Sequence, residues 1–308
     1  MRRISSVVLA LAGGALLAGC GGMAAASGAS SGETVRAERL ADRVRVTVGG
    51  KLFTEYKYAT DQKYPYFYPV IGPRSGQSVT TESSEPWPHH HSLFFGSDRV
   101  NGGNYWQDPL DRGQIVAQET RVERAEGSAV EISQVSLWSR PGAESPFRDT
   151  RRIRITAPSP EVRLIDFDVT LTPLIDVRIE QSNHSLFAAR MAPALSVDSG
   201  GTLIDAGGNR GEKETFGKAA PWADYWGRRQ GVAEGLAIFN HPANRWSPPP
   251  WFTRNYGFFS PTPFNWMEGG HLDLPVGREL RLRYRVVVHG GDTDEARIAE
   301  LYRQYASE

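Results

Sequence analysis

Polar and apolar residues alternate along most of this chain, and the alternation has the period of a strand. Val44, Val46 and Val48 are separated by polar residues, and Gly49-Gly50 then turns the chain into 52–56, a hairpin pattern. A second hairpin is predicted where 114–126 and 129–138 flank Gly127-Ser128, and a third where 151–156 and 162–172 meet across Pro158-Ser159-Pro160. Ile165, Phe167, Val169 and Leu171 share one face of the latter strand. Further strands are expected at 176–181 and 235–239. The clearest half-buried strand is 280–288, where Leu280, Leu282, Tyr284, Val286 and Val288 alternate with Arg281, Arg283 and Arg285. Only the end of the chain reads as helix: Asp292 and Glu295 are spaced as a capping box, and Ile298, Leu301, Tyr302 and Tyr305 fall on one helical face near 294–305. No repeat of 20–50 residues is visible. The pattern therefore predicts an all-β fold, a large antiparallel β-sandwich with one C-terminal helix, as a single domain over 34–308.

Composition narrows the partners. Lys plus Arg and Asp plus Glu each number 35, a balance unlike the basic surfaces that bind nucleic acid. After residue 20 no cysteine remains, so neither a disulfide framework nor a thiolate metal site is expected. The first residues form a targeting segment. Arg2 and Arg3 precede an apolar run at 7–17 that is too short to span a bilayer. The run ends in Leu17-Ala18-Gly19-Cys20, which resembles the bacterial lipobox. That resemblance implies removal of residues 1–19, lipid on Cys20, and a small, polar tether over 20–33. Gly21, where inner-membrane lipoproteins carry Asp, implies the outer membrane. The lipid is the expected membrane contact, since no later apolar run is long enough to cross.

The stretch 64–106 concentrates aromatics, prolines, glycines, three adjacent histidines and Arg74, with almost no helical periodicity. If 93–95 is a strand, at most two of His89, His90 and His91 share a face. Aromatic rings that stack on pyranose faces, beside imidazole and guanidinium groups that bind hydroxyls or move protons, make a sugar site. The same rings also suit the packed end of a sandwich. The second half adds Asn183-His184 and Arg190, an aromatic loop at 222–227 with Asp224 and Trp226, His241 after a strand, a long Pro- and aromatic-rich loop at 246–264 containing Trp251, and Glu268.

The mature chain resembles a bacterial family of unknown function once labelled PmoA-like. The similar segments are 68–76 (YPVIGPRSG), 90–96 (HHSLFFG), 100–102 (VNG), 237–242 (AIFNHP) and 280–286 (LRLRYRV). The methane-oxygenase activity in that older name has no counterpart here, neither a set of membrane-spanning helices nor a copper-ligand cluster. A more distant resemblance is to the aldose-1-epimerase or galactose-mutarotase-like β-supersandwich. Asn183-His184-Ser185-Leu186-Phe187 is similar to one motif of those enzymes, and His90 or His91 before Leu93-Phe94-Phe95-Gly96 and Trp106 to another. Gly72-Pro73-Arg74 is similar to their Gly-Arg pair, and Glu268 ahead of Leu274-Pro275-Val276-Gly277 to their catalytic Glu.

Those likenesses imply acid–base chemistry on a carbohydrate, without a cofactor. His184 is expected as the acid, Glu268 as the base, and Arg74 and His91 as ligands of hydroxyls or of a developing oxyanion. His90, Asn183, Arg190, Asp224, Trp226, His241 and Trp251 are expected to bind substrate. Arg74, His91 and His184 are expected to share one pocket, with His241 and an aromatic from 222–226 or 251–259 on its wall. Two alternatives remain at this level: a surface glycan binder without catalysis, and a zinc site made by His90, His184 and His241, which lack a short ligand spacing.

Overall fold

The computed structural model describes Leu9, residues 32–107 and residues 109–308. The expected signal peptide apart from Leu9, Cys20, and the tether up to residue 31 lie outside the described residues. The fold is an antiparallel β-sandwich, as the alternation predicts. One sheet has nine strands, in the order Trp251–Thr253, Phe258–Pro261, Leu186–Arg190, Leu93–Gly96, Tyr66–Val70, Lys51–Lys57, Arg43–Val48, Val35–Arg39 and Glu126–Gly127. The other has eight, in the order Thr202–Asp205, Trp222–Arg229, Val232–Asn240, Leu280–Gly290, Val162–Pro173, Phe147–Ser159, Ala129–Ser139 and Gln114–Arg124. A two-stranded ribbon, Val177–Glu180 with His271–Leu274, lies beside them in sequence order. No helix among the described residues is long and apolar enough to cross a membrane.

Alternate side chains fill the space between the sheets. Phe67 and Phe95 of the nine-stranded sheet meet Phe167 of the eight-stranded one, and Phe187 stacks on Tyr284 at 4.9 Å between ring centres. Full burial of each such ring is worth about 1.5–3 kcal/mol. Because successive strand residues point to opposite faces, Tyr66, Phe94 and Ala188 then face outward. The register confirms it, with Phe94 opposite both Tyr66 and Ala188, Lys57 opposite Tyr66, and Phe258 opposite Arg190. This outer face is the floor of the candidate site.

A second, smaller core lies on the outer face of the eight-stranded sheet. There Phe239, Trp222 and Val287 pack against Ile298 and Tyr305 of the helix Ile298–Tyr305. Asp292 caps the preceding turn, its Oδ1 accepting from the N–H of Glu295 at 2.9 Å, but the backbone of Arg297 is left-handed (φ 55°) and the helix begins only after it. Two other expectations change. Residues 222–227 form a strand, not a loop, which places Asp224 inside a sheet. The predicted loop at 246–264 contributes two short strands to the nine-stranded sheet, the edge strand Trp251–Thr253 and its neighbour Phe258–Pro261.

Candidate functional site

Three adjacent strands of the nine-stranded sheet bring the site together. Leu93–Gly96 is preceded by the histidine run, Leu186–Arg190 is preceded by Asn183-His184 and ends in Arg190, and Phe258–Pro261 begins with Phe258 beside Arg190. Gly96 is needed where it stands: a Cβ there would lie 2.6 Å from the Tyr105 carbonyl oxygen. That close approach lets the chain fold back so that Trp106 covers Phe94, with ring centres 4.7 Å apart. Trp106 in turn lies 4.7 Å from the His184 ring. The 182–185 turn is pinned by serines. Ser97 donates to the Ser185 hydroxyl at 3.2 Å, the Asp98 N–H donates to the same oxygen at 3.2 Å, and Ser260 donates to the Ser185 carbonyl at 3.2 Å.

His184 lines an open cleft of about 480 Å³ together with Asp98, Arg99, Gln107, Gln181, Ser182, Asn183 and Asn265. Its Nε2 is enclosed and has no hydrogen-bond partner in the protein. Burial, aided by His89, Arg99 and Arg254, lowers its pKa to about 4, so the ring is neutral at physiological pH. Across the same cleft Asp98 has its carboxyl pushed up by burial, against the pull of Arg99, Arg112 and Lys63. Among the described residues six non-glycine residues have left-handed φ, and four of them (Ser92, Arg99, Asn101 and Leu186) lie on the segments that frame this region. Such conformations cost about 1–3 kcal/mol each and concentrate at functional sites.

His90 sits behind this cleft, 4.4 Å from Phe258 and 4.4 Å from His89 between ring centres. It is 4 % exposed, and burial, with the neighbouring His89, His184 and Arg190, lowers its pKa to about 2. Four buried polar atoms in this one region have no hydrogen-bond partner in the protein: His90 Nδ1, Trp106 Nε1, His184 Nε2 and Arg190 Nη1. Buried polar groups in folded proteins are almost always satisfied, and four of the ten unpartnered buried side-chain atoms among the described residues gather here.

Asn183, His184, His90 and Arg190 are thus brought into one neighbourhood, and Phe252, Tyr256 and Phe258 supply the aromatics expected from 251–259. Other expected residues lie elsewhere. His91 is one step along the sheet, stacked on Tyr66 with its Nδ1 2.8 Å from the Glu82 carbonyl oxygen. Arg74 leaves the site altogether. Its Nε donates to Glu161 at 2.6 Å, and Glu295 is 3.6 Å away in a separate pocket against the C-terminal helix. The turn before it is fixed by Glu234, which accepts from the Ser75 N–H at 3.2 Å and leaves no room for a Cβ at Gly72. The glycine–arginine segment is therefore a docking turn, and the expected shared pocket does not include Arg74.

Glu268 is exposed in the turn after Phe264–Trp266 and does not line the cleft. His241 lies by the C-terminal helix, with Arg283 Nη1 2.8 Å from its Nε2 and Tyr305 edge-on at 5.1 Å. It cannot meet His90 and His184 around one zinc ion. Asp224 is fully buried in its strand, 3.0 Å from His289 Nε2, and accepts from Thr293 at 2.6 Å. Trp226 is half-buried on the same strand, packed against Gly235. Trp251 faces the interior and donates to the Ala220 carbonyl at 2.8 Å, while its neighbour Phe252 faces His184. Asp98 was not singled out from the sequence; the signal available was its place directly after the 90–96 segment, where a strand end meets a loop.

Comparisons with known proteins place the chain in a family without assigning it an activity. At 12% identity it resembles a heparinase III gene product (TM-score 0.35), covering 85% of this chain and 35% of that one, so the chain spans about a third of that enzyme's length. It resembles an aldose 1-epimerase of Escherichia coli K12 (12% identity, TM-score 0.32, 84% and 99% covered). It also resembles a galactose mutarotase related enzyme of Lactobacillus acidophilus (11% identity, TM-score 0.31, 83% and 97% covered). At these TM-scores the likenesses support no inference about chemistry. No curated protein matches the sequence. The older PmoA-like label and its methane-oxygenase activity find no support. The family model that does match covers residues 43–303, and the chain belongs to the family of unknown function DUF6807.

Proposed function

We propose that this protein takes a sugar into the cleft beside Trp106 and transforms it by proton transfer between His184 and Asp98. In the same reading it is a lipoprotein held at the outer membrane through Cys20. The observation that carries the proposal is the presence, on the lining of one open cleft, of a neutral imidazole and a carboxyl pushed up by burial. A neutral imidazole can accept a proton, and burial that favours the protonated form of the carboxyl suits it to giving one, so the two can serve opposite sides of one substrate. Asp98 supplies the carboxyl that the sequence sought in Glu268, but with the roles exchanged: Asp98 gives the proton and His184 accepts it. Gln107, Gln181, Asn183 and Asn265 offer amides suited to hydroxyl groups. One proton off and one on is what opening at an anomeric carbon requires. Elimination and hydrolysis use the same pair.

The test is turnover of a panel of mono- and disaccharides by purified protein, followed by proton NMR at the anomeric carbon. His184→Ala and Asp98→Asn should each abolish turnover while the melting temperature stays within a few degrees. Sugar binding without turnover in the wild type would replace the catalytic reading with a glycan-binding one, and no sugar binding would end both. Mass spectrometry of the native N-terminus should find a diacylglyceryl group on Cys20. An intact, unacylated Cys20 would contradict the anchoring.

A further inference from the structure

We infer that the sugar is an acidic one, a uronic acid unit whose carboxylate is received by Arg190. This rests on the sugar reading above and narrows it to a substrate class. Arg190 is 1 % exposed, yet no carboxylate among the described residues lies within salt-bridge distance of it. Its Nε is 3.4 Å and its Nη2 3.2 Å from the Ser84 hydroxyl, and Nη2 donates to the Glu85 carbonyl at 3.1 Å. Its guanidinium carbon lies 4.3 Å from the centre of the Tyr256 ring. Nη1 has no partner. A charge taken out of water without a counter-ion is strongly unfavourable, and two of the other three buried arginines among the described residues have one. Arg151 is paired with Asp149, and Arg285 with Asp166 and Glu308. A ligand carboxylate is the counter-ion that Arg190 lacks, and a guanidinium fork is the group best shaped to hold one.

Two further observations point the same way. His90, whose Nδ1 is also without a partner, stands between the two: its ring is 6.5 Å from Tyr256, on which Arg190 lies, and 4.4 Å from Phe258, which leads through Trp106 to His184. The surroundings are also more basic than the balanced chain as a whole. Arg99 and Arg254 act on His184, and Arg99, Arg112 and Lys63 act on Asp98. Of the arginines, only Arg254 has a carboxylate partner among the described residues, Glu212 at 3.2 Å. Arg163, the other buried arginine without a close carboxylate, sits in the field of three acids, Glu33, Glu234 and Glu161, whereas Asp198 is the one carboxylate that acts on Arg190.

Calorimetric titration of the full chain decides the matter, with galacturonate and glucuronate set against galactose, glucose and galactose 6-sulfate. The uronates should bind at least about tenfold more tightly than the neutral sugars, the scale of one charge-assisted contact, and more tightly than the sulfate ester. Arg190→Gln should remove that preference, lowering uronate affinity at least about tenfold more than neutral-sugar affinity. Should that variant fail to fold, Arg99→Gln at the exposed rim should reduce the preference a few-fold in a folded protein. Equal binding of acidic and neutral sugars overturns the inference and leaves the sugar reading intact. Tighter binding of the sulfate ester overturns the carboxylate. No binding of any sugar overturns both.

Discussion

Two buried arginines, one between the sheets and one on the outer face, show how this fold separates structure from chemistry. Arg151 is enclosed between the sheets and fully engaged. Its Nε and Nη2 donate to the two oxygens of Asp149 at 3.0 and 2.9 Å, and its Nη1 donates to the Tyr56 hydroxyl at 3.2 Å. Trp138 and Gln134 extend the network, each with a partner. Arg190 is as deeply enclosed, but it stands over Tyr256 with a nitrogen unused and no carboxylate beside it. The histidines repeat the contrast. His289 is clasped by Asp224 in the second sheet, whereas His90 and His184 are held neutral among rings. Unsatisfied buried atoms also occur elsewhere, His289 Nδ1 among them, but four of them gather beside Trp106, and that clustering is what sets the outer-face region apart.

Breaking the interior pair should have the largest effect on stability. Asp149→Ala strands the Arg151 charge in the core and should cost about 3–5 kcal/mol, read as a drop in the urea midpoint. A loss under about 1 kcal/mol would mean that the two arginines do not differ as described.

Acid comes next, and it acts on the outer-face site. Burial lowers His90 to about 2 and His184 to about 4, against 6.5 for an ordinary histidine. The unfolded chain therefore takes up these protons first as pH falls, and stability declines below about pH 6.5, by about 1.4 kcal/mol per pH unit for each ring. The contribution of His184 ends near pH 4, while that of His90 continues. His241, also lowered by burial, adds to the same slope. Carboxylates that the fold holds low, such as Glu55 and Glu82, begin to matter only below their ordinary value of 4.5, so the decline above that belongs to the histidines, offset in part by Asp98, whose raised carboxyl favours the folded state as it takes up its proton. Urea midpoints at pH 7 and pH 5 that coincide would contradict this.

Smaller effects sharpen the contrast further. Arg190→Gln removes a charge with no carboxylate partner, so it should cost only about 1 kcal/mol of stability, the value of its hydrogen bonds. Arg74→Ala should cost less than about 1 kcal/mol, because its ion pairs with Glu161 and Glu295 are exposed, and it should leave sugar binding unchanged. A large loss of sugar affinity in Arg74→Ala would return that residue to the site.

Much of the fold was legible in the sequence because strand alternation is a local signal. The strand Leu280–Gly290, with its arginines outward, and the hairpin through Gly49-Gly50 follow directly from it. Strands buried on both faces do not alternate, so Trp222–Arg229 reads as an aromatic loop, and Asp224 was assigned to substrate when its partner is His289. For the site, the histidine runs beside Leu93–Gly96 and Leu186–Arg190 were visible, since both flank apolar strands. What was not visible is register. Only pairing across the sheet shows that Arg190 stands beside Phe258, that Asp98 shares a cleft with His184, and that Arg74 is drawn away to Glu161.

The central claim is that the outer-face histidines meet a sugar while the clasped ones do not. The most direct test follows the ring resonances of the seven histidines by NMR during titration with galacturonate. His90 and His184 should shift in proportion to occupancy, and His241 and His289 should stay still. Shifts at His289 or His241 with none at His184 would contradict the account.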